Sequence, residues 1–337
     1  MKDVAELAGV SASTVSHVLN GTRKVSEDTR ERVRLAIEQL GYEPNLLAKS
    51  LKVSRTFTIG LLISDIQNPF FTSVIRGAED VALSRGYHLF LCNTDEDPNR
   101  EDEYVRELSK KRVDGLIVAS SASRRNHALQ LRLEDVPFVF MDREVEGIEA
   151  DTVSVDNRLG MRLIAEHLTQ LGHERVGMVS GPLEKSSGRE RYHGLRDALA
   201  DLGLPLRDSL VRFGDFRVSG GREAAEELLR LPEPPTALVV SNNQMTLGAL
   251  LAVRELGLRV PDEVSVVSFD DMEWAPLANP PLTALAQPTY EMGATAARML
   301  LDKIEKKATG SPSKLFMEPE LMVRGSTGSP AGKGSRR

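Results

Sequence analysis

With one cysteine, no apolar run of membrane-spanning length and no surplus of positive charge, this sequence excludes several classes of protein before any motif is sought. A lone Cys92 can form neither an internal disulfide nor a multi-cysteine metal site; it suits a reducing compartment and reads as a buried strand residue. The start MKDVAELAGV lacks the basic stretch and apolar run of a secretory signal, so the chain is expected in the cytoplasm, with no membrane partner. A net charge of −6 argues against a uniformly basic nucleic-acid binder. That charge is uneven: Met1–Phe57 carries nine Lys/Arg against seven Asp/Glu, or +2, which leaves −8 for the remainder. So mild an asymmetry does not by itself point to DNA.

Catalytic signatures are missing too. No G-x-S-x-G elbow, H-E-x-x-H pair or G-x-G-x-x-G fingerprint occurs, and the loop GPLEKSSG lacks the order of a phosphate cradle. His88, His127, His167, His173 and His193 show no metal-ligand spacing. No catalytic residue, metal or cofactor is therefore expected, and the chain does not read as an enzyme.

What is present begins with three short helices. In Lys2–Ala8 the apolar residues Val4, Leu7 and Ala8 share a face, and Gly9 supplies a stop. Ser11 is placed to cap Ala12–Asn20, whose polar face carries Ser13, Thr14, Ser16, His17 and Asn20 in place of the Lys and Glu of a merely solvated helix. Ser26 caps Glu27–Leu40 and Gly41 ends it. A tight Gly-Val-Ser turn between the first two helices describes a helix-turn-helix, although a generic three-helix bundle fits this pattern equally well.

The words within the pattern separate the two readings. The stretch KDVAELAGVSASTVSHVLNG, with VSEDTRERVRLAIEQLGYEPNLLAKSLK after it, closely resembles the DNA-binding head and hinge of the lactose and purine repressor family, without a gap. The resemblance implies that Ala12, Ser13 and His17 face base edges, that Ser16 and Asn20 lie at or near phosphates, and that Arg23 reaches the groove from the next loop. Hydroxyls and an imidazole can pair with base edges, whereas Ala12 can only touch a thymine methyl. Glu43-Pro44 breaks the third helix, and Asn45–Lys52 is too short to be helical alone in water. In the family this segment is a hinge helix that folds on operator DNA beside its dimer mate, with Leu51 matching the minor-groove wedge and Lys49 and Lys52 its basic flanks. Family members usually carry two or three more residues before the Lys-Asp pair, including the first helix's cap. Either Met1 is not the natural start or that helix frays.

From Thr58 onward, apolar runs alternate with amphipathic helical stretches, a doubly wound α/β pattern. The strands are expected at Ile59–Ser64, His88–Asn93, Gly115–Ala119, Phe138–Asp142, Val153–Val155, Val176–Ser180, Val211–Phe213, Ala237–Ser241, Val264–Phe269 and Leu282–Ala286. They exceed one comfortable sheet, so two parallel-sheet lobes are expected, with ligand groups beyond the carboxyl ends of the strands. Those ends carry aromatics, a guanidinium, carboxylates and amides, a mixture suited to a sugar's apolar faces and hydroxyls.

The region resembles the periplasmic sugar-binding fold, and its pocket words look most like those of the ribose-binding periplasmic protein. That likeness implies an effector site of Ser64, Asn68, Phe70, Phe71, Asp142, Arg143, Arg191, Phe216, Asn242, Asp270 and Gln287. Phe71 and Phe216 could instead be core, and Arg191 could simply pair with Asp270. Lys185 and Ser187 could meet a purine base or a phosphate.

The expected organisation is a helix-turn-helix domain over 1–43, a hinge over 44–56, a two-lobed effector and dimerisation domain over 57–325, and a disordered tail over 326–337. Lobe one takes 57–156 and 288–316, lobe two 157–287 and 317–325, with crossings near Asp156, Gln287 and Phe316. The function expected is a repressor that binds a palindromic operator as a homodimer under control of a small sugar, ribose or another pentose. A hexose, nucleoside, purine or sugar phosphate remains open, as, further off, do a transport-type sugar-binding protein and a sugar-processing enzyme.

Overall fold

The structure, a computed structural model, describes residues 1–20, 23–42, 55–121, 136–307 and 310–330, and they fall into two compact units divided between Thr56 and Phe57. Lys49, Leu51 and Lys52 lie outside the described residues, as does the side chain of Asn20.

The first unit holds α1 (Lys2–Leu7), α2 (Ala12–Asn20) and α3 (Glu27–Leu40). Val4, Ala5, Ala8, Val15, Val33 and Ala36 form its core. The Ser11 Oγ accepts the Thr14 N–H at 3.1 Å, and the Ser26 Oγ accepts that of Thr29 at 3.4 Å, so both expected caps are made. Helix α1 has no side-chain cap at Met1; its other end is tied by Arg32, which donates to the Ala8 carbonyl at 3.3 Å.

The second unit is built on two six-stranded sheets. Lobe one orders its strands β11-β5-β4-β3-β1-β2, all parallel: β1 (Thr58–Ile63), β2 (His88–Asn93), β3 (Gly115–Val118), β4 (Phe138–Met141), β5 (Thr152–Val155) and β11 (Lys314–Met317). Lobe two repeats the scheme as β12-β10-β9-β8-β6-β7, from β6 (Val176–Ser180), β7 (Val211–Phe213), β8 (Ala237–Val240), β9 (Ser265–Phe269), β10 (Thr283–Ala286) and β12 (Glu320–Met322). Only β12 runs antiparallel, against β10. The central strands are buried on both faces, as parallel sheets covered by helices must be, which is why they read as unbroken apolar runs.

Helices cover both faces of each sheet. Lobe one carries α4 (Pro69–Ser84) and α10 (Thr289–Ile304) on one face and α5 (Pro98–Lys110) on the other. Lobe two has α6 (Asn157–Gln170) and α7 (Ser186–Asp201) on one face, and α8 (Val218–Leu229) and α9 (Asn243–Glu255) on the other. Helices α4 and α10 meet through glycine: a Cβ on Gly77 would lie 2.0 Å from the Tyr290 carbonyl oxygen, and one on Gly293 2.0 Å from that of Val74. Any larger residue would force the pair apart.

Two strands beyond the ten expected complete the sheets, and both come late in the chain. Phe316, expected at a crossing, lies inside β11, so the third crossing falls between Met317 and Glu320. The segment expected as a loose tail from 326 is instead sewn to lobe two as far as Gly328. Ser326 is buried, its Oγ accepting the Thr283 N–H at 2.8 Å and donating to the Val266 carbonyl at 2.6 Å, while a ring nitrogen of His173 meets the Gly328 carbonyl at 2.9 Å. Residues 331–337 lie outside the described residues.

Candidate functional site

The two lobes close on one cavity between them. Its lining takes in ten of the eleven residues expected there: Asn68, Phe70, Phe71, Asp142, Arg143, Arg191, Phe216, Asn242, Asp270 and Gln287. Ser64 is the exception, buried behind the wall with its carbonyl accepting the Glu96 N–H at 2.8 Å. Ser187, at the start of α7, joins the lining. Lys185, two residues earlier, does not. It turns to the lobe-one carbonyl of Ser121 and lies 3.7 Å from a Glu96 oxygen.

Backbone geometry aims these groups. Among the described residues, five of the eight non-glycine residues at positive φ sit at the cleft: Asp95 and Glu96 (56° and 60°), Asp142 (64°), Phe216 (66°) and Asp270 (80°). Conformations that cost about 1–2 kcal/mol each collect where side-chain direction outweighs local comfort. Two amides act as helix caps while facing the cavity. Asn68 Oδ1 accepts the Phe70 N–H at 3.0 Å at the start of α4, and Asn242 Oδ1 accepts that of Met245 at 2.9 Å at the start of α9. Phe70 and Phe71 meet edge to face at 5.0 Å and belong to the core of lobe one as well as to the wall. Phe216 fits over Gly181, where a Cβ would come within 2.2 Å of its ring.

The charged groups are deeply buried. Arg191 donates from Nε to Asn157 Oδ1 at 2.7 Å and from Nη1 to the Ser241 carbonyl at 2.6 Å, with its guanidinium 3.7 Å from the centre of the Phe269 ring. Its other terminal nitrogen lies 4.0 Å from Asp142, across the cleft, so it does not simply pair with Asp270. Arg143 holds Glu96 with bonds of 2.8 and 2.9 Å and lies 4.9 Å from the Phe216 ring centre; its Nε, buried, makes no hydrogen bond. Asp270 accepts the Asn243 N–H at 3.1 Å and the side-chain amide of Gln287, whose own Oε1 has no partner. Burial drives the Asp142 carboxyl above its ordinary pKa, against the pull of Arg143 and Arg191, and burial lowers that of Arg191.

This site can hold a small polar ligand between two carboxylates and two guanidinia, with phenyl rings against its faces. Hydrogen bonds already link the lobes around it: Asn243 donates to Asn68 at 2.7 Å, Gln244 to the Gln67 carbonyl at 3.2 Å, and the Glu144 N–H to Ser186 Oγ at 3.1 Å.

In the first unit, Ala12, Ser13 and Arg23 are exposed, and Ser16 and His17 are partly so. The Ser13 hydroxyl lies 2.8 Å from that of Ser11. Among the described residues no helix is long and apolar enough to cross a membrane, and no cluster of His, Cys, Asp and Glu is arranged to hold a metal.

Residues 1–45 match the family of bacterial regulatory proteins of lacI type, and residues 56–318 match the family described as periplasmic binding proteins and the sugar binding domain of the LacI family. The HTH-type transcriptional repressor PurR of Aliivibrio salmonicida is 38% identical over 326 residues, covering 96% of this chain and 97% of that protein. The ribose operon repressor of Escherichia coli is 39% identical over 327 residues, covering 97% and 99%. A crystal structure of the Lac repressor dimer bound to operator and the anti-inducer ONPF is similar to this chain with a TM-score of 0.85 at 30% identity, covering 97% of this chain and 98% of that one.

Proposed function

This chain belongs to the lacI family of bacterial regulatory proteins, transcriptional repressors and not enzymes, and we propose that it works as a cytoplasmic homodimer on a palindromic operator under the control of a small neutral sugar, ribose or another pentose. Ala12, Ser13, Ser16, His17, Asn20 and Arg23 read and grip the half-site, and Leu51, between Lys49 and Lys52, wedges the minor groove. One head reads one half-site, so a two-fold dimer follows.

The observation that carries the effector reading is the convergence of Asp142, Arg143, Arg191, Asp270 and Gln287 on one cavity. Carboxylates and guanidinia interleaved in this way suit adjacent hydroxyls, which donate to one and accept from the other. Two features favour a sugar over the alternatives. Arg143 lies over Phe216, so that face of the ring is taken and cannot stack on a purine. Both arginines already face carboxylates, which offset part of the positive charge a phosphate would need. A ligand that bonds to both lobes binds the closed arrangement better than the open one, which is the differential affinity that control of DNA binding requires.

The test is a thermal-shift series with ribose, arabinose, glucose, adenosine, hypoxanthine and ribose 5-phosphate, followed by operator titration with each hit. Ribose or arabinose at a hundred times its Kd should stabilise the protein by about 2.7 kcal/mol. A shift with hypoxanthine or the phosphate and none with a pentose would overturn the sugar assignment. Separately, Leu51→Ala should abolish specific operator binding and leave the effector response intact; unchanged operator affinity would remove Leu51 from the groove.

A further inference from the structure

A chain of charges runs from the cavity wall to the far side of the cleft. It begins at Asp142, 3.5 Å from Arg143, passes through the two bonds from Arg143 to Glu96, and ends at Lys185 on lobe two. The side chains of Arg143, Glu96 and Lys185 are only 7%, 17% and 11% exposed. Neither Glu96 nor Lys185 touches the cavity.

The last two links of this chain are built at local cost. Glu96 follows Asp95 in two successive left-handed backbone conformations, which turn Glu96 inward while Asp95 faces Arg217 of lobe two, 3.4 Å away. Lys185 stands at the N-cap of α7, where it gives that helix no side-chain cap. Its ammonium crosses instead to the Ser121 carbonyl and the Glu96 carboxylate, both of lobe one. Around the ammonium, Arg143 repels it while Glu96 and Glu101 attract it; Glu101 is itself held by Ser120 and the Ser121 N–H. Burial alone would raise the Glu96 pKa, yet Arg143 and Lys185 hold it below the usual range, so it stays an anion between two cations.

We propose that Glu96 and Lys185 are positioning residues outside the effector pocket: Glu96 fixes Arg143 for the ligand, and Lys185 locks onto Glu96 and the Ser121 carbonyl only when the lobes close. The inference rests on reading the cleft as an effector site. When the lobes part, Glu96 keeps Arg143, but Lys185 loses both lobe-one partners at once. The latch therefore weights the closed state without contacting the ligand. Apparent affinity scales with the fraction of protein in the binding-competent state, so a weaker latch lowers affinity through closure alone.

The experiment follows lobe closure by energy transfer between dyes on Glu103→Cys of α5 and Glu223→Cys of α8, both exposed, in a Cys92→Ser background of the full-length protein. Without sugar, Lys185→Met should lower the closed-to-open ratio about tenfold, while Lys185→Arg, which keeps the charge, should stay within about threefold of the parent. With D-ribose as the probe, Lys185→Met should bind about tenfold more weakly. Glu96→Gln, which also frees Arg143, should lose more. An unchanged closed-to-open ratio in Lys185→Met, or equal losses in the Met and Arg variants, would overturn the latch. If ribose binds neither parent nor variant, the sugar assignment falls, while the ratio without sugar still decides the latch.

Discussion

Asp142 and Asp270 occupy the same place in the two lobes. Each follows the third strand of its sheet order, β4 in one and β9 in the other, and each has a positive φ. Their surroundings differ. Asp270 is bonded to the Asn243 N–H and the Gln287 amide, whereas Asp142 has arginines only at 3.5 and 4.0 Å. Arg191 of lobe two is likewise fixed by Asn157 and Ser241, while Arg143 of lobe one keeps an unbonded Nε. One repeated frame has thus become a half whose carboxylate is already bonded in place and a half whose carboxylate keeps its bonding capacity for a ligand, although Gln287 Oε1 of lobe two is unbonded too. A duplicated fold need not give its halves equal shares of a site.

The sharpest way to break this contrast is Arg191→Met. It should weaken effector binding at least a hundredfold by calorimetry and lower the Tm as well, because Asn157 and the Ser241 carbonyl lose a buried donor. Full stability with intact binding would show that lobe two is not the half bonded in place.

Next comes Asp270→Ala, expected to cost about 1–3 kcal/mol in denaturant unfolding through the orphaned Asn243 N–H and Gln287 amide. Asp142→Asn should by contrast weaken effector binding about tenfold and leave stability within about 0.5 kcal/mol of the parent, because burial already disfavours its charge. Equal stability losses in the two aspartate variants would erase the distinction between the lobes.

The smallest effect expected is a pH slope confined to lobe two. His173 bridges Thr236 and the Gly328 carbonyl, and burial holds its pKa below the ordinary 6.5. The folded protein then binds fewer protons than the unfolded chain as pH falls through 6.5. Stability is fully present above that pH and is lost on acidification until the depressed pKa is passed. The Tm should fall between pH 7 and 5, and His173→Gln should flatten the fall. An identical slope in both proteins would assign it to other groups.

Much of the cavity was legible because a doubly wound fold puts ligand groups at strand ends, and strand ends can be read from where apolar runs stop. The two caps, Asn68 and Asn242, stood at such ends with helical patterns behind them. The misses have physical causes. Glu96 looks like one more acid in the loop TDEDPNRED, and only a positive φ turns it inward. Lys185 was legible as a cleft residue, but its direction depends on partners from distant parts of the chain. Strand β11 escaped because Lys314, Leu315 and Phe316 are exposed and give no alternation. The segment after Gly325 has the composition of a loose end, yet Ser326 bonds to two backbone groups and binds it to lobe two. Composition registers the low cost of disorder and is blind to a single well-placed hydroxyl.

The three crossings between the lobes impose an order on synthesis. Lobe two draws β6 to β10 and all four of its helices from one unbroken stretch, and waits only for edge strand β12 and the segment through Gly328. Lobe one begins earlier in the chain, yet it must wait for α10, whose Met292, Ala296, Leu300 and Leu301 fill its core, and for edge strand β11. The nascent chain therefore emerges with its first sensor lobe uncovered and the body of the later one able to fold ahead of it, reversing the usual N-terminal-first sequence. An emerging polypeptide stalled before Thr289 would leave uncovered the face of α4 around Val74 and Gly77 that packs on α10, the surface on which a chaperone would be expected to act.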